Sequence, residues 1–484
     1  MSGRLNFEYG FNTNPAQALE NDTPMRVYFL SDFIGTQTTP KNGSTNKILK
    51  IDIDNFDDVM TKLSPSVSLP SGHQVTFNEL EDFHPDSLFE NDIFKNIRRL
   101  KRELSNSATA ERAADEIMLT YQLGSKTMPQ TMAEDITAVA HGNNHGEKAE
   151  DESIEGSDDM FERLLGQKQS TTATLPITSN AQSSGNLDRF LGDLLSPHII
   201  KDTKPEHKNL MMFIDTAIEE LMRSLLHSKE FQALESAWRS IRDVIFNEEY
   251  DEANQFFYLV NTDRDALNRA VAGDTGFVST LSKHIKNTDI ECYDVLIGNY
   301  QFSAKDEDIT TLNYLASIAE TLTCQLVSSA DDSLINAESD SLWQQFKQTP
   351  QASHVALSYP QVLLRIPYGK KHDEVDVFAF EEFTQVHQHD KLLWGNSAFS
   401  CARLLIRQYH NQKNGQGTLD PNITELPAFV YAQEDENILQ ACGEFLLSEQ
   451  ELIDIHKQGI MVFASYRNKN CIRLFGDGIR AVNT

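Results

Sequence analysis

Two histidines four residues apart, His141 and His145, come nearest in this sequence to the spacing of metal ligands. Histidines at i and i+4 on one face of a helix can bind a zinc ion. Here they lie in the segment HGNNHG, whose glycines and asparagines disfavour the rigid helix that such a site needs. The pattern therefore predicts no metal site.

The 484 residues contain no sequence pattern typical of catalysis or nucleotide binding. We find no Walker A loop, no GxGxxG after a strand, no GxSxG elbow and no HExxH pair. PYGKK (Pro367 to Lys371) lacks the GxxxxGK[ST] spacing of a phosphate-binding loop. His84 and His227 sit beside apolar residues, where a histidine is more often structural than a base. We expect no enzyme activity, no catalytic residue and no cofactor.

The cysteines also argue against a metal or disulfide framework. They form an odd, widely spaced set with no CxxC pair, whereas disulfide frameworks need even numbers and zinc sites need clustered ligands. We expect buried free thiols. The five are Cys292, Cys324, Cys401, Cys442 and Cys471.

The charge balance narrows the choice of partners. With 42 basic and 72 acidic residues the chain carries a net charge of -30, which repels nucleic acid and anionic membranes. No run approaches the roughly 18 apolar residues that span a bilayer, and the start MSGRLNFEYGFNTNP has no apolar signal core. We expect a cytoplasmic protein without membrane insertion.

The first 125 residues show the alternation of strands and helices typical of an α/β unit. RVYFLSDF and KILKIDI are strand-like, and the helix-like segment DNFDDVMTKL follows the second of them. A later helical segment after DFHPD carries an apolar stripe. Its members that we single out are Ile93, Ile97, Leu100 and Leu104.

Residues 126–186 have the composition of an acidic, flexible linker. Between Glu147 and Arg163 there are eight carboxylates and two basic side chains, so we expect two independently folding parts on either side. Within this stretch DDMFERLLGQ is amphipathic, with Phe161, Leu164 and Leu165 on its apolar face. Two interpretations stay open, a tethered docking helix and a helix that packs on its own domain.

Residues 187–484 begin with two amphipathic helices and continue with strand-like runs. In the second helix the apolar positions Phe231, Leu234, Trp238 and Ile241 recur every three or four residues. The strand-like runs alternate with helical stretches, which predicts an α/β or α+β fold with a mixed sheet flanked by helices.

Several segments resemble the contractile sheath proteins of type VI secretion systems. Three segments resemble the small subunit (TssB/VipA) over roughly residues 25–104. They are RVYFLSDF, KILKIDIDNFDDVMTKLSP and FNELEDFHPDSLFEN. Five segments within residues 187–484 resemble the large subunit (TssC/VipB), in the same order along the chain. They are LLHSKEFQALESAWRSI, YDVLIGNYQFS, LSYPQVLLRIPYG, FEEF and LLWGNSAF. The sequence is thus similar to a fusion of both subunits, with a shortened carboxyl-terminal half.

The resemblance implies two sheath-type domains, at residues 1–125 and 187–484, joined by the linker 126–186. We call these two domains the first and the second region. It also implies a structural role, either as a fused sheath subunit or as an accessory protein that caps, nucleates or adapts a sheath. The alternative is a sheath-fold regulator or small-ligand-binding protein outside the contractile tube.

Sheaths of this family are helical tubes of small and large subunits around an inner tube, and a ClpV-type AAA+ unfoldase recycles them. The implied partners are other sheath subunits, inner-tube or baseplate proteins, and that unfoldase. The interface candidates are the two stripes defined above, which we expect to pair with each other by ordinary helix packing. Phe161, Leu164 and Leu165 are the candidate docking residues.

Overall fold

The computed structural model describes most of both regions. The described residues are 23–35, 48–69, 72–121, 207–287, 291–338, 340–384, 388–413, 420–433, 436–476 and 478–483. The predicted linker, its candidate docking residues Phe161, Leu164 and Leu165, and the pair His141 and His145 lie outside them. The chain forms two compact units, unit 1 (Met1–Val67, Gln74–Asn91, Leu221–Thr484) and unit 2 (Ser68–His73, Asp92–Glu220).

The strands come from both regions. The first region supplies β1 (Met25–Ser31), β2 (Ile48–Ile51), β3 (Ser66–Ser68) and β4 (Gln74–Thr76). The second region supplies β5 (Gln255–Asn261), β6 (Tyr293–Phe302), β7 (Gln325–Ala330), β8 (Val355–Tyr359), β9 (Val362–Leu363), β10 (Trp394–Gly395), β11 (Asn422–Ile423), β12 (Val430–Gln433), β13 (Glu436–Leu439), β14 (Met461–Ser465) and β15 (Ile472–Leu474).

The α-helices alternate with these strands. The first region contains α1 (Phe56–Leu63), α2 (Pro85–Phe89), α3 (Lys95–Ser105) and α4 (Ala110–Thr120). The second contains α5 (His207–Leu226), α6 (Lys229–Phe246), α7 (Arg264–Val271), α8 (Gly276–Lys286), α9 (Asp306–Leu322), α10 (Asp332–Ile335), α11 (Leu342–Lys347), α12 (Ala398–Lys413) and α13 (Glu449–Lys457). Short 3₁₀ helices lie at Leu80–Phe83, Asp92–Phe94, Pro350–His354 and His389–Lys391. No helix among the described residues is both long and apolar enough to cross a bilayer.

A large mixed sheet, the main sheet, organises unit 1. Among the described residues it has nine strands in the order β11-β15-β14-β8-β7-β6-β1-β5-β2. The six strands from β14 to β5 run parallel, while β2, β15 and β11 are antiparallel to their neighbours. Short antiparallel pairs β3–β4, β9–β10 and β12–β13 complete the strand pairing of the described residues.

The sequence of β1 explains its central position. MRVYFLS is buried at every residue, as is usual for a parallel strand covered on both faces. Tyr28 and Leu30 face a core that includes α9, while Phe29 faces the other side and stacks on Phe399 of α12 at 5.8 Å between ring centroids. Helices therefore cover both faces of the main sheet around β1.

A buried ion pair joins β1 to β6. Arg26 and Asp294 are register partners, and the guanidinium donates to both carboxylate oxygens at 2.6 and 2.7 Å and to Ile285 O at 3.1 Å. Burial raises the pKa of Asp294 although Arg26 opposes that shift. Desolvation thus offsets much of the attraction, and the clearer role of the pair is to fix register, because a slip of β1 would separate two buried charges.

The described part of unit 2 includes α3, α4 and the amino-terminal part of α5. Buried Ile97, Leu100 and Leu104 form the inner face of α3, which packs against α4. The amino-terminal part of α5 joins them, with Lys101 Nζ 2.8 Å from Asp215 Oδ1 and the rings of Tyr121 and Phe213 5.5 Å apart. The apolar period of α3 therefore produces the buried face that the sequence predicts.

The predicted fold class is confirmed, since a mixed sheet flanked by helices forms the body of unit 1. In unit 1 the two regions share one sheet. β1 of the first region pairs on one side with β5 and on the other with β6, both from the second region. Linker composition reports a boundary in the sequence, but it carries no information on strand pairing across that boundary.

We predict that the two regions need each other for stability but do not need their covalent link. Co-expressed chains 1–150 and 151–484 should purify as a one-to-one complex, because β1 supplies hydrogen bonds to two strands of the second region. Chain 151–484 expressed alone should aggregate, since β5 and β6 would expose unpaired edges. Affinity purification and light scattering measure both outcomes. A monomeric 151–484 chain with the thermal stability of the intact protein would contradict this assignment.

Candidate functional site

The apolar stripe of α6 is the platform on which the first region packs. Phe231, Leu234, Trp238 and Ile241 are each at most 1% exposed. Trp238 Nε1 donates to the carbonyl oxygen of Phe33 at 3.2 Å, and the Trp238 ring meets those of Phe33 and Phe56 edge-on at 5.6 and 5.7 Å. One indole thus contacts both the segment after β1 and the start of α1.

Other stripe residues make similar contacts with the first region. Phe77 and Phe83 stack at 4.1 Å, and both rings contact Phe231 edge-on at 5.8 and 5.5 Å. Gly35, at φ +75°, lies so close that a Cβ there would come within 3.0 Å of Leu234 Cδ2. A residue without a side chain is required at this approach. We call the surface between the two regions in unit 1 the seam.

The remaining interface candidates lie in unit 2. Ile93, Ile97, Leu100 and Leu104 are at most 4% exposed and form core there. Their pairing with the stripe of α6 stays a prediction, because the two stripes belong to different compact units. Contacts of either stripe with a second chain also stay a prediction, since all of these side chains are buried within this one.

Beside the stripe, within the second region, lies a buried ion cluster that the sequence analysis missed. The carboxylate of Glu235 in α6 accepts hydrogen bonds from Arg239 Nε at 2.7 Å and from Arg365 Nε at 2.9 Å. The same Arg365 binds Glu382 through two nitrogens at 2.8 and 3.1 Å, and His227 Nε2 lies 3.3 Å from Glu382 Oε1. We call these five residues the ion cluster.

The ion cluster holds its charges by mutual compensation. Burial alone would raise the pKa of Glu382, but attraction to Arg365 and hydrogen bonds from His227 and Arg365 outweigh it and lower that pKa to about 2. Tyr368 lies beneath the guanidinium of Arg365, at 4.3 Å from its ring centroid, and burial raises its pKa to about 12. The Glu382 carboxylate therefore stays charged in a buried site beside Arg365.

The DFHPD segment of the first region closes over this cluster. His84 meets the ring of Tyr368 edge-on at 4.9 Å. The carboxylate of Asp86 accepts hydrogen bonds from the backbone N–H groups of Val377 and Asp376 at 3.0 and 3.3 Å. Phe89 then packs on Phe378 at 4.8 Å. The most specific block of the first region thus binds the loop that follows Arg365.

The ion cluster is held by direct pairs between guanidinium groups and carboxylates. No group of three or more His, Cys, Asp or Glu side chains among the described residues could hold a metal ion. One signal was available in the sequence, since Glu235 lies between Phe231 and Trp238 on the apolar face of its helix, where a charge must find a buried partner.

Comparison with known families agrees with this division into two regions. The family described as "EvpB/VC_A0108, tail sheath N-terminal domain" (VipB) matches residues 208–342 and 339–478, more than half of the chain. The family described as "Type VI secretion system, VipA, VC_A0107 or Hcp2" matches residues 2–120. The chain belongs to the type VI secretion sheath family.

A curated sheath protein is similar to part of this chain. The chain is 24% identical over 310 residues to "Type VI secretion system sheath protein TssC1" of Pseudomonas aeruginosa. The match covers 57% of this chain and 62% of that protein, so the chain spans less than two thirds of its relative. The fusion of small-subunit-like and large-subunit-like sheath sequences, expected from the motifs, is confirmed.

The sheath-family blocks quoted from the sequence converge at the seam. LLHSKEFQALESAWRSI supplies His227, Glu235 and Arg239, LSYPQVLLRIPYG supplies Arg365, and FEEF supplies Glu382. The VipA-like block DFHPD meets them from the other side. These blocks therefore build the contact between the two regions.

We predict that Glu382→Gln destabilises the protein by about 3 kcal/mol or more at neutral pH, because it leaves the buried Arg365 charge half compensated. Since folding lowers the pKa of Glu382 from 4.5 to about 2, its stabilisation is complete above pH 4.5 and is lost as the pH falls toward 2. The wild-type protein should lose up to about 3 kcal/mol over that window from this group, and the variant should not.

Urea unfolding between pH 7 and 3 measures both effects. The matched control is Glu381→Gln, at the exposed neighbouring carboxylate, which should change the free energy of unfolding by no more than about 0.5 kcal/mol. If the two variants were equally stable and equally dependent on pH, the ion cluster would not stabilise unit 1.

Proposed function

We propose that this protein is a structural component of a type VI contractile sheath, in which one polypeptide carries both subunit types. The observation that carries the proposal is the pairing of β1, from the VipA-like region, with β5 and β6 of the VipB-like region. A small subunit that completes the sheet of a large one forms a stable building block. In this chain that block needs no association step.

Fusion has a quantitative consequence for assembly. Joining two binding parts by a flexible connection gives them an effective concentration in the millimolar range and fixes their ratio at one to one. The buried Arg26–Asp294 pair then selects one register between the two regions. Such a unit can repeat through a heterologous contact, which generates a helical filament when it does not close.

The chemistry of the side chains favours this structural role over catalysis. All five cysteines are free, and burial raises the pKa of the Cys401 and Cys442 thiols to about 12, which suppresses the reactive thiolate. The cavity beside β2 has a volume of about 140 Å³. Small-molecule sites are usually larger, at roughly 300 Å³ or more. The buried thiols and the small size of this cavity support the structural role.

The proposed partners are further copies of this chain or two-chain sheath subunits of the bacterial cytoplasm. Inner-tube or baseplate proteins and a ClpV-type unfoldase complete the set that the family resemblance implies. In an accessory role, the same building block is added only at the end of a sheath that consists of two-chain subunits.

We predict that the purified full-length protein forms tubes in negative-stain electron micrographs, because the fused unit already contains both subunit types. The same specimen mixed with two-chain sheath subunits separates the alternatives. Decoration of sheath ends without self-assembly would assign the accessory role. A protein that stays monomeric over a concentration series and binds no sheath would contradict the proposal.

A further inference from the structure

Two patches of opposite charge lie on unit 1, at opposite corners of the main sheet. One is a groove beside the edge strand β2, and the other is the hairpin between β14 and β15. The proposed function uses neither of them. Together they suggest how one copy of the chain contacts the next.

The groove is concave, acidic and partly apolar. Its cavity of about 140 Å³ is lined by side chains from the end of β2, the turn after it and the start of β5. Asp52, Asp54 and Glu252 contribute three carboxylates, against the single cation of Lys50. Ile53, at 44% exposure, adds an apolar side chain to the same lining. We call this lining the acidic groove.

The electrostatics of the acidic groove favour a cationic occupant. Lys50 Nζ lies 3.8 Å from Asp52 Oδ2, and in the described part of the chain neither Asp54 nor Glu252 has an ion-pair partner. Burial, and then the nearby carboxylates Glu252, Asp52 and Asp54, raise the pKa of Tyr250 in the groove wall. An arriving cation would relieve this excess of negative charge.

The hairpin has the opposite character. Its connecting loop, residues 466–471, is exposed from Tyr466 to Asn470, and Asn468 adopts a left-handed φ of 61° at the turn. Arg467 and Lys469 project from the loop, and exposed Arg473 follows on β15. We call this segment, residues 466–473, the basic hairpin.

The cations of the basic hairpin are available for a partner. Among the described residues, Arg467, Lys469 and Arg473 form no ion pair with any carboxylate, although the chain carries a net charge of -30. Lys469 lies over the ring of Tyr466 at 5.4 Å from its centroid. Tyr466 is itself 39% exposed, so an aromatic ring stands among three uncompensated cations. Exposed tyrosine and arginine are typical of protein interfaces.

The topology prevents these patches from meeting within one chain. Ile51, at the end of β2, pairs with Phe257 near the start of β5, so the acidic groove lies at the amino-terminal end of the parallel strands. The basic hairpin follows the carboxyl-terminal end of β14. β2 and β14 are also six strand positions apart, about 29 Å at a spacing of about 4.8 Å. Both patches are fixed to the same sheet.

We propose that the basic hairpin of one copy docks in the acidic groove of a second copy, with Tyr466 against Ile53 and Tyr250 and with Arg467 and Lys469 facing Asp54 and Glu252. This inference rests on the proposed function, since it names the contact by which the fused units repeat. A contact between different patches is heterologous, and patches at opposite corners leave a free patch at each end. The result is an open, head-to-tail series.

Charge exchange between the two patches tests the contact. Arg467→Glu with Lys469→Glu should weaken self-association at least tenfold, and Asp54→Lys with Glu252→Lys should do the same, because each places like charges in contact. The chain with all four changes should regain wild-type self-association, since its patches are complementary again. Sedimentation velocity over a concentration series, at low and high salt, measures the association.

A matched control separates the hairpin's contact from a general effect of net charge. Arg269→Glu with Lys305→Glu makes the same change in charge as the hairpin variant at exposed positions away from both patches, and it should leave association within twofold of wild type. Circular dichroism and thermal unfolding of every variant report whether the fold is retained.

Each result decides the proposal. It is overturned if the hairpin and groove variants associate like the control, if the fourfold variant stays weak, or if the wild-type chain does not self-associate. A wild-type chain that binds two-chain sheath but not itself would overturn this contact and leave the sheath function standing. A chain that binds neither would overturn both.

Discussion

Hydrogen bonds on both sides of β1 bind the first region into the sheet of the second. A strand with two neighbours can leave only when both ladders break, whereas an edge strand breaks one. The flanking helices depend on this strand as well, because Phe29 and Tyr28 fill the cores on opposite faces of the main sheet. The two regions, which match different sequence families, thus form one cooperative fold.

One buried ion pair restricts how the two regions can meet. Apolar contacts such as those of Trp238 tolerate small shifts, but Arg26 must find Asp294 across the two regions, and Arg365 must find Glu235 and Glu382 within the second region. Leaving either guanidinium unpaired would cost more than the pairs themselves contribute. The ion pairs therefore act on specificity, and the apolar area supplies the larger part of the stability. A subunit that is pulled on during assembly or contraction needs such a single, well-defined joint.

The sequence predicts local features of this fold better than distant pairings. The apolar runs around β1 and the stripe of α6 appear as strand and helix, because period and burial are local properties. The insertion of β1 beside β5, about 230 positions later, left no local signal. The sequence analysis did not predict the ion cluster for the same reason, since Glu235 and Arg365 are 130 positions apart. The family blocks marked these segments correctly, but only the structure shows that they meet at one seam.

Hydrogen exchange of the full-length protein tests the shared sheet most directly. If β1 is a central strand, the amides of Val27 to Leu30 should exchange as slowly as those of β6 and β7, through global unfolding alone. If β1 were a peripheral arm, those amides would exchange through local opening, well before β6 and β7. Equal protection would establish one cooperative unit built from both regions, and early exchange of β1 would contradict it.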